Sequence, residues 1–257
     1  MSSQALPAQA KQLFHYLFEQ ASLGIAVEDL EGNLLLANPA LCSMLGYRED
    51  ELCGMNCSQF ANPEDSQDDW ALFQQLRAGV IDKYSLEKRY VRKHGGQLWG
   101  HLNVSLLRNG DGESPLVFAF VEDITERKRS EEALRESEER FRLAAQAAKM
   151  YAYEWDLPTD QVVRSEEYVN VLGCSYQEKE RTRQQILATI HPDDHALFIA
   201  SVDQLTPENA TSQVSYRMLH PDGPVVWLEK SARGFFDEQG KLLRMIGMVA
   251  NITDRKR

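Results

Sequence analysis

Short apolar runs separated by turn residues open two stretches of the chain, Gly24 to Leu30 and Tyr151 to Leu157. Glu31-Gly32-Asn33 or Pro158-Thr159-Asp160 follows, then a second run, Leu34 to Ala37 or Gln161 to Arg164. Run, turn and run is the signature of a β-hairpin. Asn38 and Ser165 stand next, where helix N-caps belong, and Pro39 suits the first helical turn. Trp70, Leu72, Phe73 and Leu76, and later Leu197, Ile199 and Val202, recur at helical spacing. Pro63 and Pro192 are placed to open these helices, with acids behind them that complement the positive end of the helix dipole. Three extended segments close the first stretch: Lys83 to Arg92, Gln97 to Leu107 and Pro115 to Ile124. His94-Gly95-Gly96 and Asn109-Gly110-Asp111-Gly112 supply its turns. Pro221-Asp222-Gly223 and Asp237-Glu238-Gln239-Gly240 do so in the second stretch.

The two stretches are copies. Val121 to Arg129 reads VEDITERKR and Val249 to Arg257 reads VANITDRKR, 128 residues on. Trp99 matches Trp227, Gly112 matches Gly240, Pro63-Glu64-Asp65 matches Pro192-Asp193-Asp194, and Leu45-Gly46 matches Leu172-Gly173. A period this long means duplicated domains, because solenoid repeats run about 20–50 residues. The predicted fold class is α+β: two domains, each a five-stranded antiparallel sheet with helices on one face, joined by a long helix. The expected bounds are an N-terminal helix over 1–21, a first domain over 22–125, a linker helix over 126–148 and a second domain over 149–257.

Glu126 to Ala148 lacks Gly and Pro and is rich in Glu, Arg and Ala, which predicts one continuous helix. Arg127, Leu134, Phe141 and Ala148 recur every seven residues, with Ser130, Ser137 and Ala144 on the complementary stripe. So short and small a seam predicts a weak coiled coil, whose close registers suit switching. A solvated spacer packing its apolar stripe on the second domain is the alternative. Arg257 corresponds to Arg129, where the linker begins, so a further linker and an effector are expected beyond it.

Composition narrows the function. Hydrophobic residues make up 43% of 257, enough for buried cores, and the net charge of -11 argues against a nucleic-acid partner. No apolar run approaches the roughly 20 residues of a membrane span, and no signal peptide is evident, so a cytoplasmic chain without membrane insertion is expected. Cys42, Cys53, Cys57 and Cys174 show no metal-binding spacing with histidine. No nucleophile elbow, phosphate loop or zinc-protease motif occurs, so the chain is read as a regulatory module and not an enzyme.

DITERKR at Asp123 to Arg129, NITDRKR at Asn251 to Arg257, LGY at Leu45 to Tyr47, NPED at Asn62 to Asp65, HPDD at His191 to Asp194 and RKHGG at Arg92 to Gly96 occur in order. With YEWDL and VVWLEKSARG in the second copy, this set resembles the PAS family over nearly the whole chain. The resemblance implies a sheet and helices enclosing a small pocket, sensing or homodimerisation, and output through a helix leaving the last strand. It implies a downstream effector such as a histidine kinase or a cyclic-dinucleotide enzyme. Signal transfer would fall to Asp123, Ile124, Thr125, Leu134, Phe141, Asn251, Ile252 and Thr253. Asn251 departs from the acidic residue expected there, which predicts a weakened strand-to-helix contact in the second copy.

Ligand chemistry is read from the fourth strand of each copy. Leu98, Gly100, Leu102, Val104 and Leu106 alternate as an inward, wholly apolar set, which predicts a pocket filled by side chains or open to an apolar ligand. In the second copy Leu228, Lys230 and Ala232 hold the matching places. An inward Lys230 calls for a bound carboxylate, although a bulge, a mouth position or snorkelling to solvent is the simpler expectation. Two cofactors are considered and not expected. Cys57 lies in a sequence like the flavin-adduct motif of light-oxygen-voltage photoreceptors, but Tyr90 and Gly100 stand where ring-reading Asn residues belong. His195 sits where haem-binding members carry an axial ligand, without a matching distal pocket. Trp99 and Trp227 fall on the opposite sheet face, where they mark a dimer surface or pack under an N-terminal helix over Leu13 to Phe18.

Overall fold

The computed structural model describes residues 8–108, 114–173, 180–220 and 224–257. The turns expected over 109–112 and 221–223, and Cys174, lie outside the described residues. The chain forms two compact units.

The first begins with α1 (Ala8–Gln20), β1 (Gly24–Glu28) and β2 (Leu34–Ala37). The short helices α2 (Pro39–Leu45) and α3 (Glu49–Leu52) and a 3-10 turn over Cys57–Phe60 lead to α4 (Ser66–Arg77). The strands β3 (Lys83–Val91), β4 (Gln97–Leu107) and β5 (Leu116–Asp123) complete a wholly antiparallel sheet of order β2-β1-β5-β4-β3. Placing the last strand beside the first makes β1 and β5 central and lets the chain leave from the middle of the sheet. Asn38 holds the hairpin to the helices. Its carbonyl oxygen accepts from Leu41 N at 3.0 Å as an N-cap and from Ile25 N at 2.8 Å. Its amide donates to Phe18 O at 3.0 Å and Leu23 O at 2.9 Å, so one buried side chain satisfies four backbone groups.

The helix α5 (Thr125–Ala147) runs on from β5 and joins the two domains. The second domain repeats the plan with β6 (Met150–Asp156), β7 (Gln161–Arg164), α6 (Tyr168–Leu172), β8 (Glu180–Arg181) and α7 (Arg183–Leu187). After a 3-10 turn over Pro192–Asp194 come α8 (His195–Asp203), β9 (Thr211–Met218), β10 (Val226–Phe236), β11 (Leu242–Asn251) and α9 (Thr253–Lys256). The two-residue β8 adds a sixth strand to the expected five by pairing with the free edge of β7. The recurring Leu-Gly pair has a backbone cause: Gly46 and Gly173 end α2 and α6 in the left-handed region, at φ 78° and 69°.

Three expectations need correction. Ser165 brackets the hairpin as Asn38 does, accepting from Ala152 N at 3.1 Å, but α6 starts three residues later and Ser165 does not cap it. Pro63 lies in a turn before α4, and Pro192 opens a 3-10 turn and not α8. The acids behind them serve another purpose: Asp65 bonds Arg89, and Asp194 bonds Arg217. Leu134 and Phe141 on α5 are 60% and 55% exposed, so the linker stripe is not packed on the second domain.

Candidate functional site

The fourth strands obey the period of two. In β4, Leu98, Gly100, Leu102 and Val104 face the interior; in β10, Leu228, Lys230 and Ala232 do. The two interiors then diverge.

In the first domain the space is closed. A Cβ on Gly100 would stand 2.4 Å from Tyr90 Cε2, so the missing side chain of one strand admits the ring of its neighbour. Tyr90 stacks on Phe60 with ring centroids 6.3 Å apart. The residual cavity is about 20 Å³, room for about one water. Its lining is not wholly apolar, contrary to the β4 pattern. Lys88 Nζ on β3 donates to Asp69 Oδ2 on α4, and Tyr84 Oη donates to Asp69 Oδ1 at 2.9 Å. Glu28 at the end of β1 is buried beside them, and burial pushes its carboxyl up to about 8, partly opposed by Lys88. The clue was a charged residue interrupting an apolar alternation, Tyr84, Leu86, Lys88, Tyr90, on a strand other than the one read for the pocket. Leu106 is partly buried at the margin of this core.

Cys57 lines the same small space, and burial raises its thiol to about 12, so it is a neutral thiol at physiological pH. A flavin ring would have to displace Tyr90 and Phe60, and the residues around Cys57 do not fit one. His195 is equally occupied: its Nε2 lies 3.0 Å from Ile190 O, and it does not line the second domain's cavity. Among the described residues no cluster of His, Cys, Asp or Glu could hold a metal ion.

The second domain keeps a cavity of about 150 Å³ between its sheet and its helices. Tyr151, Tyr153 and Trp155 from β6, Tyr216 from β9 and Phe198 from α8 give it aromatic walls. Lys230 points into it and is 3% exposed, so the expected snorkelling does not occur. The strand period fixes the direction of this side chain, which falls on the buried set of β10 with Leu228 and Ala232. Nζ donates to Ser201 Oγ at 3.1 Å and lies 4.4 Å from the Phe198 ring centroid. Burial, helped by the nearby Arg183 cation, lowers its pKa to about 8.

The strand-to-helix junctions are the same in both copies. Ile124 N donates to Trp99 O at 2.9 Å and Trp99 N to Thr125 Oγ1 at 3.0 Å; the bonds from Ile252 to Trp227 and from Trp227 to Thr253 repeat them at 2.8 and 3.0 Å. Asp123 Oδ1 accepts from Thr125 N at 2.9 Å, and Asn251 Oδ1 from Thr253 N at 3.1 Å and Thr253 Oγ1 at 2.7 Å. Asn251 therefore keeps the turn, and its amide adds a bond to Val171 O that a carboxylate could not donate. The weakened contact expected of Asn251 is not found.

Trp99 and Trp227 are only partly exposed, and cations cover them. Arg89 and Lys128 lie 5.6 and 5.3 Å from the Trp99 centroid; Arg217 and Lys256 lie 5.7 and 5.1 Å from that of Trp227. Glu87 pairs with Arg127 and Lys128, and Glu229 with Arg255. A chain of charge and ring contacts thus runs from the acid before the long helix, through an Arg and a Trp, to the first turn of the departing helix. Arg89 and Arg217 recur 128 residues apart like the landmarks already noted, which was the signal that could have exposed the chain.

A family profile described as "PAS domain" matches residues 22–126, and one described as "PAS fold" matches 161–249. The "Probable diguanylate cyclase DgcE" of Escherichia coli (strain K12) is 29% identical over 97% of this chain and 22% of its own length. The "Sensor histidine kinase TmoS" of Ectopseudomonas mendocina is 30% identical over 52% of this chain and 14% of its own. The "Biofilm dispersion protein BdlA" of Pseudomonas aeruginosa is 26% identical over 89% of this chain and 54% of its own. These relatives are bacterial signalling proteins, and the chain spans between about a seventh and about half of their lengths. No helix among the described residues is long and apolar enough to cross a membrane.

Proposed function

Because this chain belongs to the PAS family in both of its halves, we propose that it is the sensory and relay portion of a larger signalling protein, with the second domain sensing a small molecule. The contrast between the two interiors carries this reading: about 150 Å³ of space beside Lys230 in the second, about 20 Å³ beneath Tyr90 in the first. A cavity lined by aromatic groups with a few buried polar ones is the usual form of a small-molecule site. Occupancy would shift α8 against the sheet, and the Asp194, Arg217, Trp227 and Lys256 contacts would carry that shift to α9. The first domain, already filled, relays through Trp99 into α5. The effector is a histidine kinase or a diguanylate cyclase, the activities named for two relatives that extend well beyond this chain. No catalytic role is assigned to these residues.

A screen of small molecules by melting temperature tests the reading, since a ligand that binds only the folded state raises it in proportion to occupancy. Selective stabilisation of the second domain by some compound is the expected result. A ligand-free relay becomes the better account if a broad library, neutral compounds included, leaves the melting temperature unchanged. That second reading has its own support in the exposed Leu134 and Phe141, seven residues apart on α5, which suit homodimerisation through the linker.

A further inference from the structure

We propose that the cavity of the second domain binds a small organic carboxylate, its head held by Lys230 Nζ and the Tyr153 hydroxyl and its body by the aromatic walls. The inference rests on the second domain being the sensing one and names the class of its ligand.

Among the described residues two lysines are buried, and only one is matched by an acid. In the first domain Lys88 faces Asp69 directly, with Glu28 close by. In the second, Lys230 is as deeply buried, yet among the described residues its hydrogen bond is to the neutral Ser201 hydroxyl. That hydroxyl donates onward to Phe198 O at 2.6 Å, so its oxygen is free to accept from Lys230. An ammonium carries three donors, which leaves two for a ligand. Among the described residues no Asp or Glu lines the cavity, while Arg164 and Arg183 do. Arg183 has Asp203 at 3.6 Å, whereas Lys230 has no acid beside it among the described residues, and a buried cation without a counter-charge is unfavourable. A carboxylate entering the space would supply both the charge and the acceptor, in the stronger class of hydrogen bond.

A second, independent polar group belongs to the same wall. Tyr153 is 9% exposed, lines the cavity, and its hydroxyl is buried with no hydrogen-bond partner among the described residues. Its ring lies against Gly247, where a Cβ would stand 2.8 Å from Cε1. Gly247 pairs with Tyr153 on one side and Ala232 on the other, so the ring crosses β11 toward β10, two residues from Lys230. Burial holds the phenol protonated, as a donor. The cavity wall thus offers a carboxylate two donors from two strands, the Lys230 ammonium on β10 and the Tyr153 phenol on β6.

Size limits the body. A cavity of about 150 Å³ admits about one benzene ring. The ligand is accordingly an aryl or short branched aliphatic acid, not a nucleotide or a long-chain lipid.

Calorimetric titration of the chain with benzoate, benzamide and benzyl alcohol tests this. Benzoate is expected to bind at least about tenfold tighter than either neutral analogue, the usual margin for a charge-assisted bond. Lys230→Met should abolish that preference, and Tyr153→Phe should weaken benzoate by about three- to tenfold. Near-ultraviolet circular dichroism checks that each variant is folded; Lys230→Met removes an unmatched charge and is expected to keep its packing. Neutral analogues binding as well as benzoate, or a preference for benzoate that survives Lys230→Met, would overturn the carboxylate assignment and leave sensing intact. Failure of all three probes overturns the assignment as well; sensing falls with it only if the wider library also leaves the melting temperature unmoved.

Discussion

Asn251 donates its side-chain amide to the Val171 carbonyl at 3.0 Å, tying the end of β11 to α6. The equivalent Asp123 has no donor to offer, and its second oxygen instead lies 3.8 Å from Arg92. The two copies therefore fasten the departing helix with the same turn but anchor it to different neighbours.

Asn251→Asp should accordingly destabilise the second domain by about 1–2 kcal/mol, the loss of one bond with a carboxylate left facing a carbonyl. Amide exchange in α6 should quicken. Asp123→Asn preserves the cap and should stay within about 0.5 kcal/mol of the wild type. Equal effects at the two positions would show that the Val171 contact contributes nothing.

The Asp194–Arg217 pair predicts acid behaviour. Hydrogen bonds from Arg217 hold Asp194 at about 2, below the ordinary carboxylate value of 3.8. A lowered acid stabilises the fold above its unfolded pKa and loses that contribution as pH falls through the folded value. Arg217→Ala should lower stability by about 2 kcal/mol at pH 7, by removing charge-assisted bonds. The difference from wild type should shrink between about pH 4 and 2, as urea titrations at a series of pH values would show.

Glu28 predicts the opposite slope. Its folded pKa is about 8 against 4.5, so across that window the folded state keeps a proton that the unfolded state releases. Stability of the first domain should fall as pH rises from about 4.5 to 8. The groups that face Glu28 are Lys88, Asp69, Asp29, Cys57, Tyr84 and Tyr90. Glu28→Gln should flatten the slope; an unchanged slope would assign it to another of these groups.

Gly100 and Tyr90 predict a coupled pair. Gly100→Ala alone forces a Cβ into the Tyr90 ring and should cost about 1–3 kcal/mol. Tyr90→Ala alone should cost about 3–5 kcal/mol through the cavity it leaves. The double variant should be less destabilised than the sum, because the clash vanishes with the ring. Strict additivity in denaturant melts would contradict the packing described.

Sequence patterns revealed the duplication, the antiparallel sheets, the Asn38 cap and the linker helix, because each rests on local periodicity or on a residue with one backbone role. The ends of the long helices were misjudged, since Pro63 and Pro192 suit a turn as well as a helix start, and only Arg89 and Arg217, from distant strands, decide what Asp65 and Asp194 do. The site was half legible. Alternation along β10 pointed Lys230 inward, but whether a lysine snorkels depends on how far its strand runs beneath the helices. The Glu28, Asp69 and Lys88 cluster was missed because its members come from three elements that meet only in the folded sheet.

The central claim is that Lys230 is a buried cation awaiting a counter-charge. Its side-chain carbon resonance, followed by NMR against pH in lysine-labelled protein, reads this directly. The account predicts a midpoint near 8 without ligand and a clear upward shift when benzoate saturates the site. A midpoint at the ordinary lysine value of about 10.4, or one that benzoate leaves unchanged, would contradict it.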